Sequence, residues 1–578
     1  MTVDAPSTAA AAPRLNGSWP EILTPRTLGP DAGGALADAL LAYVRPRRWF
    51  RAKSRKPRAV RIADAIPLDT ANRATPDAAL VLLAIDYQEG EPDAYAIPLL
   101  HVAADQARDL AGTAPEAVVA WLDGASDGGA AGASDRRPGV LLDGLVTGPL
   151  AATLLAFIRD GQVAVGRAGE LRGEPYPGLN ETVGAAPLPA KVSSAEQSNS
   201  NVVLGERVLL KAYRQVTAGL NPELELGRFL SAHPRRPPTP RVLGSLHYRD
   251  CQGAQSSVAI VHEYLRNDGD AWSVTLQDLR RSFDMVLAAP AQSGPAEERL
   301  AWSVKRGETL GQRTAEIHIA LFDAAATGGV ADPAIAPEPL TEPDRAAAVT
   351  RVEAMWQRIL GLLPRHLAAL PPALRQDIQR LLEPASAERG RLTGLLDRFR
   401  QENFAVMKTR IHGDLHLGQV LCRGDDFIII DFEGEPGRPL AERRAKASPL
   451  RDVVGMLRSF DYAPEAVLRE RAAAAAGTGA RSSPALEQFV VAWKQAVSDG
   501  FLRAYLDRVQ GAPFLPARPP APSAPRAPTA PEQLSLMLRF YALERVIYEI
   551  DYEMNNRPDW IDIPLRGLAA LATSKGSA

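Results

Sequence analysis

Hydrophobic residues recur along the first third of the chain in two patterns, one typical of helices and one typical of strands. The spacing from Ala35 to Val44 and the amphipathic segment 150–158 predict helices, and the apolar segments 61–66 and 79–87 predict strands. We therefore expect residues 31–187 to form an N-terminal α/β region comprising a cap and an intermediate subdomain. Residues 1–30 are rich in Ala, Pro, Ser and Gly and predict a flexible tail.

The pattern changes near residue 188. Short strands are predicted at 202–204, 208–212 and 258–261, with a helix that begins at Pro222. After Asn267 the chain is mostly helical, and 531–556 has the pattern of one long amphipathic helix. Segment 511–531 contains eight prolines, whose fixed φ angles exclude a helix there. We expect a strand-rich domain at 188–265 and a mostly helical domain at 266–578 with a Pro-rich insertion at 511–531, which together make an α+β protein.

Charge and cysteine content narrow the class of protein. The 578 residues include 66 Lys and Arg against 68 Asp and Glu, a net charge of -2 that argues against a nucleic-acid coat or a polybasic membrane anchor. The basic stretch 45–58 is therefore interpreted as a solvated or domain-packing face. Two cysteines exclude a disulfide framework. No apolar run approaches the roughly 20 residues that span a bilayer. We expect a cytoplasmic protein that binds neither nucleic acid nor membrane.

The most informative stretch is 411–433. His412-Gly413-Asp414 is followed by Gln419, and a buried apolar strand then ends at Asp431-Phe432-Glu433. A tight turn at 423–426 joins two short strands and would bring Asp414, Gln419 and Asp431 to one end of a hairpin. We expect His412 to have a structural role.

This arrangement suits phosphoryl transfer. That reaction needs an acceptor for the proton of the nucleophile, for which Asp414 is placed, and oxygen ligands for Mg²⁺, which Gln419 and Asp431 can supply. The protein-kinase pattern has Asn five residues after its catalytic-loop Asp, and here the corresponding residue is Gln419. The alternative is that these acids merely solvate a hairpin, but the joint spacing favours a kinase-like catalytic site.

A kinase-like site requires a nucleotide-binding half upstream. Segment 193–201 lies between strands, and its residues Ser193, Ser198, Asn199 and Ser200 could present donors to phosphate. Lys211 lies in an apolar strand and needs a counter-charge. On the following helix Glu223 and Glu225 point to different faces, and we expect Glu225 to pair with Lys211, with Glu223 as the second choice.

Two further segments complete the predicted site. Glu263, Tyr264 and Leu265 follow the strand 258–261 and form a candidate hinge whose backbone would bind adenine. In the C-terminal helix, Tyr548 and Tyr552, and likewise Glu549 and Glu553, are four residues apart and form neighbouring stripes, with Arg557 and Trp560 just beyond. Aromatic rings pack on sugar C–H surfaces and carboxylates accept hydrogen bonds from hydroxyls, although aromatic stripes at this spacing are more often part of a core.

These motifs resemble the bacterial maltokinases, including the maltokinase-like domains fused to trehalose synthases. The resemblance extends over most of the chain and is carried by five segments, which read RWFRAKSR at 48–55, EQSNS at 196–200, KASPLRDVVGMLRSF at 446–460, YEIDYE at 548–553 and NRPDW at 556–560. The HGD and DFE elements are shared more widely, with aminoglycoside phosphotransferase-like kinases.

The resemblance implies a bilobal kinase fold with an N-terminal cap, in which 188–265 is the N-lobe and 266–578 the C-lobe. It implies transfer of phosphate from ATP to maltose to give maltose 1-phosphate, a step from trehalose toward α-glucan. By motif, it makes Asp414 the catalytic base, Gln419 and Asp431 the Mg²⁺ ligands, and Lys211 a phosphate-binding residue. Arg451 joins the candidate substrate residues.

Two alternatives stay open. One is a kinase of the same fold for another sugar, such as glucosamine. The other is a non-catalytic partner that docks a trehalose synthase, against which the intact set of catalytic residues argues. Maltose, and a complex with trehalose synthase, are the partners that the resemblance implies.

Overall fold

The computed structural model describes residues 12–16, 19, 23, 34–68, 77–103, 114–123, 138–192, 199–288, 294–323, 332–474, 483–517 and 530–573. The chain divides into two compact units. The first comprises Met1–Arg228 and Pro240–Arg266, and the second comprises Phe229–Thr239 and Asn267–Ala578. The finer domain limits drawn from the sequence remain a prediction.

The first unit begins with a cap sheet in the spatial order β1-β5-β6-β4-β3-β2, in which β1 and β5 are parallel and the other neighbours antiparallel. Helix α1 (Ala35–Val44) buries Leu36, Leu40 and Val44 in the cluster that covers one face of this sheet. The strands are β1 (Arg14–Leu15), β2 (Pro57–Leu68), β3 (Ala78–Tyr87), β4 (Asp93–Ala103), β5 (Val118–Leu122) and β6 (Gly139–Asp143).

A second antiparallel sheet follows in the same unit, in the order β7-β8-β13-β14-β11-β10-β9. Strand β12 (Gln215–Val216) continues from this sheet and pairs with β4 of the cap. The helices here are α2 (Pro149–Arg159), α3 (Leu179–Val183) and α4 (Pro222–Ala232). The other strands are β7 (Val163–Val165), β8 (Gly169–Pro175), β9 (Ala190–Val192), β10 (Asn199–Leu204), β11 (Val208–Tyr213), β13 (Val242–Asp250) and β14 (Gln255–Glu263).

One continuous hydrophobic core joins the cap sheet to the second sheet. Ile66 and Leu80 of the cap lie in the same buried cluster as Leu154 of α2 and Leu210 of β11. The buried carboxylate of Asp64 in β2 strengthens this joint, because it accepts hydrogen bonds from the backbone N–H groups of the β7–β8 turn and from the Tyr248 hydroxyl in β13. A buried carboxylate needs such donors to stay ionised.

The second unit is mainly helical, with two short hairpins. Helices α6 (Gly294–Phe322) and α12 (Pro484–Arg508) pack very closely. A Cβ on Gly311 of α6 would lie 2.3 Å from the Phe501 carbonyl oxygen of α12, so only glycine fits there. The helices are α5 (Ala271–Ala288), α6 (Gly294–Phe322), α7 (Glu342–Leu362), α8 (Pro372–Leu382), α9 (Ala387–Gln401), α10 (Leu440–Arg443), α11 (Leu450–Ala474), α12 (Pro484–Arg508), α13 (Pro531–Asn556) and α14 (Asp562–Thr573). The strand pairs are β15 (Glu338–Pro339) with β16 (Met407–Lys408), and β17 (Val420–Arg423) with β18 (Asp426–Ile429).

The α+β class expected from the sequence is confirmed, as are the helices at 35–44 and 531–556. The prediction of a flexible tail at 1–30 needs correction for the few described residues in it. Arg14–Leu15 pairs with β5, and both Leu15 and Trp19 are buried in the cap core. Burial of two large apolar side chains can hold a short segment in place, even where the surrounding sequence has no periodic hydrophobic pattern. Among the described residues, none of the helices combines the length and apolarity that a membrane span requires.

Candidate functional site

Lys211 of β11 forms a buried ion pair with a glutamate of α4. Its Nζ lies 2.8 Å from Oε2 of Glu223, and both side chains are more than nine-tenths buried. The sequence favoured Glu225 for this pairing with Glu223 as the second choice, and the 2.8 Å ion pair is with the second choice. Residues two apart on a helix differ in direction by about 200°, so their spacing alone did not decide between them.

Glu223 is held from several sides. The Tyr213 hydroxyl donates to its Oε2 at 2.9 Å, and Nε2 of His262 lies 3.1 Å from its Oε1. The Asn221 side chain accepts a hydrogen bond from the Glu223 backbone N–H at the start of α4. Burial raises the pKa of Glu223, but the charge of Lys211 and the His262 hydrogen bond outweigh burial and leave that pKa well below its usual value. The carboxylate is therefore ionised and keeps Lys211 charged and fixed.

The candidate phosphate loop is described only in part, since Ser193 and Ser198 lie outside the described residues. Asn199 and Ser200 begin β10, where Asn201 is the cross-strand partner of Lys211. Strand alternation places Asn199 on the same sheet face as Lys211 and Ser200 on the opposite face. The prediction of the Ser200 hydroxyl as a phosphate ligand is therefore corrected, because this hydroxyl accepts a hydrogen bond from Nε of Arg214 at 2.7 Å.

Arg214 links this sheet to the cap through a fully buried ion pair. Its guanidinium binds Asp143, at the end of β6, through two contacts of 2.7 and 3.0 Å, and the Tyr43 hydroxyl donates to the same carboxylate at 3.0 Å. Such a pair is costly to break on one side, because the remaining charge stays buried. The start of β10 is thus fastened to the cap.

The candidate hinge follows β14 as expected. The Glu263 carboxylate is bound by Arg241 at 2.8 Å, and the backbone N–H of Tyr264 donates to the carbonyl of Arg207 at 2.8 Å. Leu265 continues in extended chain and is partly buried. These contacts fix the path of the segment, while its adenine-binding role remains a prediction.

In the second unit the candidate metal ligands come together at one end of a hairpin. Strands β17 and β18 pair from Val420 with Ile429 to Arg423 with Asp426, which confirms the predicted tight turn. Gln419 immediately precedes β17, and its carbonyl accepts a hydrogen bond from the Ile430 N–H at 3.0 Å. Asp431 follows directly with φ of 68°, a left-handed conformation that is uncommon for a non-glycine residue. This turn of the backbone ends the strand next to Gln419.

The loop that carries Asp414 is anchored by Asp452 of α11, a residue that the sequence reasoning missed. The buried Asp452 carboxylate accepts backbone N–H groups of His412 at 2.8 Å and Gly413 at 2.9 Å, and lies 3.1 Å from Nε2 of His318. His412 in turn contacts the Ile430 carbonyl through Nε2 at 2.8 Å, which confirms its structural role.

A glycine makes this close approach possible. A Cβ on Gly455 would lie 2.6 Å from the carbonyl oxygen of Leu415, so α11 can lie directly against the loop only because this residue has no side chain. Gly413 adopts φ of 84°, which turns the chain between His412 and Asp414.

Asp414 lines a pocket whose empty space, counted together with the open solvent at its mouth, is about 410 Å³. Its Oδ1 lies 3.5 Å from Nη1 of Arg545 in α13. Its Oδ2 lies 3.9 Å from Nε2 of His416. Burial lowers the pKa of Arg545, but the Asp414 and Glu549 charges outweigh burial and raise it, so Arg545 remains a cation beside Asp414. The lining residues are Gly413, Asp414, Leu415, Glu435, Arg438, Arg451, Asp452, Gly455, Tyr541, Glu544, Arg545 and Tyr548.

Two of the predicted substrate residues, Arg451 and Tyr548, line this pocket with Asp414. Most of its other polar residues were missed, although helical spacing offered a signal. Tyr541, Glu544, Arg545 and Tyr548 recur at intervals of three and four and therefore share one face of α13. Glu435 and Arg438 follow the Asp-Phe-Glu motif by a few residues and carried no separate signal.

The other predicted substrate residues do not line the pocket. Glu549 is bound by Arg458 at 2.9 Å, and Glu553 accepts hydrogen bonds from Tyr462 and Arg557. Both glutamates are more than nine-tenths buried. Their direct contact with sugar is therefore not supported by the geometry, because internal partners already occupy them.

The aromatic residues near the end of α13 stack on one another. The Tyr552 ring lies 6.3 Å from that of Tyr548, and Trp560 stacks on Tyr462 at 6.4 Å. The Arg557 guanidinium lies over both Tyr552 and Trp560, at 5.6 and 4.7 Å. Tyr552, Arg557 and Trp560 brace the helix end and do not line the pocket with Asp414, whereas Tyr548 does.

Comparison with known proteins identifies related families and relatives. The model of the maltokinase N-terminal cap domain matches residues 43–132, and the model of the phosphotransferase enzyme family matches residues 190–487. A glucosamine kinase of Streptacidiphilus jiangxiensis is 27% identical over 395 residues, or 67% of this chain and 74% of that relative. A glucosamine kinase of Mycolicibacterium smegmatis is 26% identical over 381 residues, or 65% and 78%.

The fold also has a solved counterpart. The structure of a glucosamine kinase in complex with glucosamine, ADP and inorganic phosphate superposes with a TM-score of 0.53 at 20% identity, covering 89% of this chain and 94% of the other. At this identity the likeness concerns the fold alone. Because the matched model covers more than half of the 578 residues, the chain belongs to the phosphotransferase enzyme family and carries a maltokinase-type cap domain in its N-terminal part.

Proposed function

We propose that this sugar kinase is a maltokinase, which transfers the γ-phosphoryl group of ATP to the anomeric hydroxyl of maltose and yields maltose 1-phosphate. The cap-domain match supports the maltokinase assignment, since this domain is described by its occurrence in maltokinases. The single observation that carries the chemistry is the pocket in which Asp414 stands beside Arg545 and sugar-compatible side chains.

In the proposed mechanism Asp414 accepts the proton of the attacking hydroxyl. Arg545, 3.5 Å away, orients the Asp414 carboxylate toward this role. Asp452 holds the loop backbone on both sides of His412, so the position of Asp414 is fixed before substrate binds. Lys211, fixed by Glu223, supplies positive charge for the phosphates of the nucleotide.

The residues at the hairpin end fit a magnesium ion. The Gln419 side-chain oxygen and the Asp431 carboxylate are hard oxygen donors, and the Ile430–Gln419 backbone bond brings their residues side by side. Mg²⁺ bound there would offset the charge that develops on the phosphate oxygens. Asp431 contributes a full negative charge and Gln419 a neutral carbonyl, a combination that leaves room for phosphate oxygens as further ligands.

The charge balance of the pocket favours a neutral sugar. Four acids line it: three are each paired with an arginine, Glu435 with Arg438 at 2.5 Å, Glu544 with Arg451 at 3.2 Å and Asp414 with Arg545 at 3.5 Å, and the fourth, Asp452, is bound by the backbone of the Asp414 loop. A cationic amino sugar would have to compete with these guanidinium groups. The hydroxyl groups of a neutral sugar can instead donate to the remaining carboxylate lone pairs and accept from the remaining guanidinium N–H groups, and they add no charge to the pocket.

A second candidate is glucosamine kinase activity. It is favoured by the two curated relatives of that name, at 27% and 26% identity. In that case the amino group would need a carboxylate oxygen without an arginine partner, and Oε1 of Glu435 is such an atom. Association with trehalose synthase and a cytoplasmic location remain predictions of the sequence.

The deciding experiment measures ADP release with ATP and Mg²⁺ over a panel of maltose, glucose, glucosamine and trehalose. We expect maltose to give the highest kcat/KM, and ³¹P NMR of the product to show an anomeric phosphate. The Asp414→Asn variant serves as the control for contaminating kinase. Preferential turnover of glucosamine would reject maltose as the substrate, and phosphate on any other hydroxyl would reject the proposed pose.

A further inference from the structure

Glu435 combines deep burial with an uncommitted carboxylate oxygen. It follows the Asp431-Phe432-Glu433 motif after Gly434, whose φ of 70° turns the chain back toward the pocket. The residue is 5% exposed and lines the pocket that contains Asp414. Its Oε2 is bound by Arg438, whereas its Oε1 has no hydrogen-bond partner among the residues that the structure describes.

A buried acceptor without a partner is destabilising, because it has given up its hydrogen bonds to water. Such atoms are rare in native proteins, and in a site they commonly face a ligand or an ordered water. A neighbouring acid is fully hydrogen-bonded by comparison, since the carboxylate of Asp452 has three partners. We therefore consider which group of a molecule in the pocket could bind the free oxygen of Glu435.

The free oxygen is held in a fixed direction. Arg438 lies three residues on and contacts Oε2 through Nε at 2.5 Å, and its NH1 also lies 3.7 Å from the exposed Glu442. Next to Glu435 stands Tyr548 of α13, whose pKa is raised by burial, by the charge of Glu435 and by a hydrogen bond to that carboxylate. Tyr548 thus keeps its proton, and the pair presents one acceptor and one aromatic face to the same space.

From these observations we infer that Glu435 is a sugar-recognition residue, whose Oε1 accepts a hydrogen bond from a hydroxyl of the ring that carries the attacked hydroxyl. The inference rests on the proposed function of this pocket as the sugar site. A hydroxyl donor suits the atom because Arg438 already neutralises the Glu435 charge. A site built to bind a hydroxyl rejects analogues that lack it, by up to about 10⁴-fold.

The test compares Glu435→Gln and Glu435→Ala with wild-type full-length protein. For the sugar that wild type phosphorylates best, we expect kcat/KM to fall about 10–100-fold, mainly through the sugar KM, because the lost contact is to a charged acceptor. The KM for ATP should stay within about twofold. The matched control is Glu442→Gln, which removes the other carboxylate beside Arg438 but lies outside the pocket, and it should leave both constants unchanged.

Deoxy analogues of the sugar identify the contact. For the analogue that lacks the recognised hydroxyl, wild type and Glu435→Ala should have equal kcat/KM, since neither can make the bond. A constant ratio of wild type to variant across every deoxy analogue overturns the inference. So does a loss of less than twofold in Glu435→Gln, which would mean that Oε1 faces only water.

A different result would show that the proposed function itself is wrong: the wild-type protein would release no ADP with any sugar. The inference is then judged by calorimetric titration of sugars into wild type and Glu435→Gln: weaker binding in the variant supports it, and equal or absent binding overturns it. If Glu435→Gln does not fold, Glu435→Asp is measured in the same way, since it keeps the charge but withdraws the acceptor by one methylene.

Discussion

Asp452 is the residue whose replacement most directly tests how the structure holds Asp414 in place. Its carboxylate accepts two backbone N–H groups, at 2.8 and 2.9 Å, and contacts His318 at 3.1 Å, while the residue is only 2% exposed. In Asp452→Asn one acceptor oxygen becomes an NH₂ group that faces another donor. At least one backbone N–H of the loop is then left buried and unsatisfied.

The magnitude follows from these contacts. A hydrogen bond to a charged group contributes about 1.5–3 kcal/mol, and an unsatisfied buried donor costs about 1–3 kcal/mol. We therefore expect Asp452→Asn to lower the free energy of unfolding by about 3–5 kcal/mol. A loop shift of about 1 Å would also lower kcat by about 10²-fold.

Urea unfolding and ADP release measure the two effects in parallel. The matched control is Glu470→Gln on the same helix, since Glu470 is 48% exposed and its partner Arg280 is 46% exposed; an exposed pair should contribute at most about 1 kcal/mol. Our reasoning is refuted if Asp452→Asn is no more destabilising than Glu470→Gln and retains the wild-type kcat.

The pH dependence provides an independent check. Burial raises the pKa of Asp452, but the hydrogen bonds from His318 and from the loop backbone outweigh burial and lower that pKa below the usual value for an aspartate. Because the folded pKa is the lower one, the ionised group stabilises the fold fully above about pH 4, and this contribution is lost as pH falls toward the folded pKa. The gap in stability between wild type and Asp452→Asn should narrow only below about pH 4; a constant gap down to pH 2.5 would contradict the assignment.

Three further variants test the candidate site. Asp414→Asn should lower kcat by about 10²–10⁴-fold while sugar binding, measured by calorimetry, is largely kept; near-normal turnover would refute its role as base. Asp431→Ala should abolish turnover of the magnesium nucleotide, and added Mg²⁺ should not fully restore it; full rescue would show that Asp431 is not an essential ligand. Glu223→Gln should raise the KM for ATP by about tenfold, because the structure pairs Lys211 with Glu223; a KM for ATP within about twofold of wild type would contradict this role.

The part of the site that was predictable is local in sequence. Asp414, Gln419 and Asp431 lie within one short stretch, where a strand, a tight turn and a second strand leave little freedom in how the ends meet. The period of a strand or helix can be read from the residues that compose it, so the hairpin and the long helix α13 were both anticipated.

The pairing errors arose where the orientation of a helix decides the contact. Helical spacing divides α13 into stripes, but it does not say which stripe faces Asp414. The sequence favoured Glu549 and Glu553, which the structure binds to Arg458 and Arg557, whereas Glu544 and Arg545 face the pocket. The sequence left the choice between Glu223 and Glu225 open for the same reason, and the ion pair with Lys211 is made by Glu223.

The residue pattern by itself determined the α+β class, the order of the elements and the short-range geometry around the catalytic loop, because these depend on local periodicity and turn chemistry. Tertiary packing alone decided which distant side chains meet. Asp452 reaches the loop from α11, Arg545 reaches Asp414 from α13, and Arg214 reaches Asp143 in the cap. Such contacts depend on the rotation and depth of each packed element, which are set by the whole core rather than by any one segment.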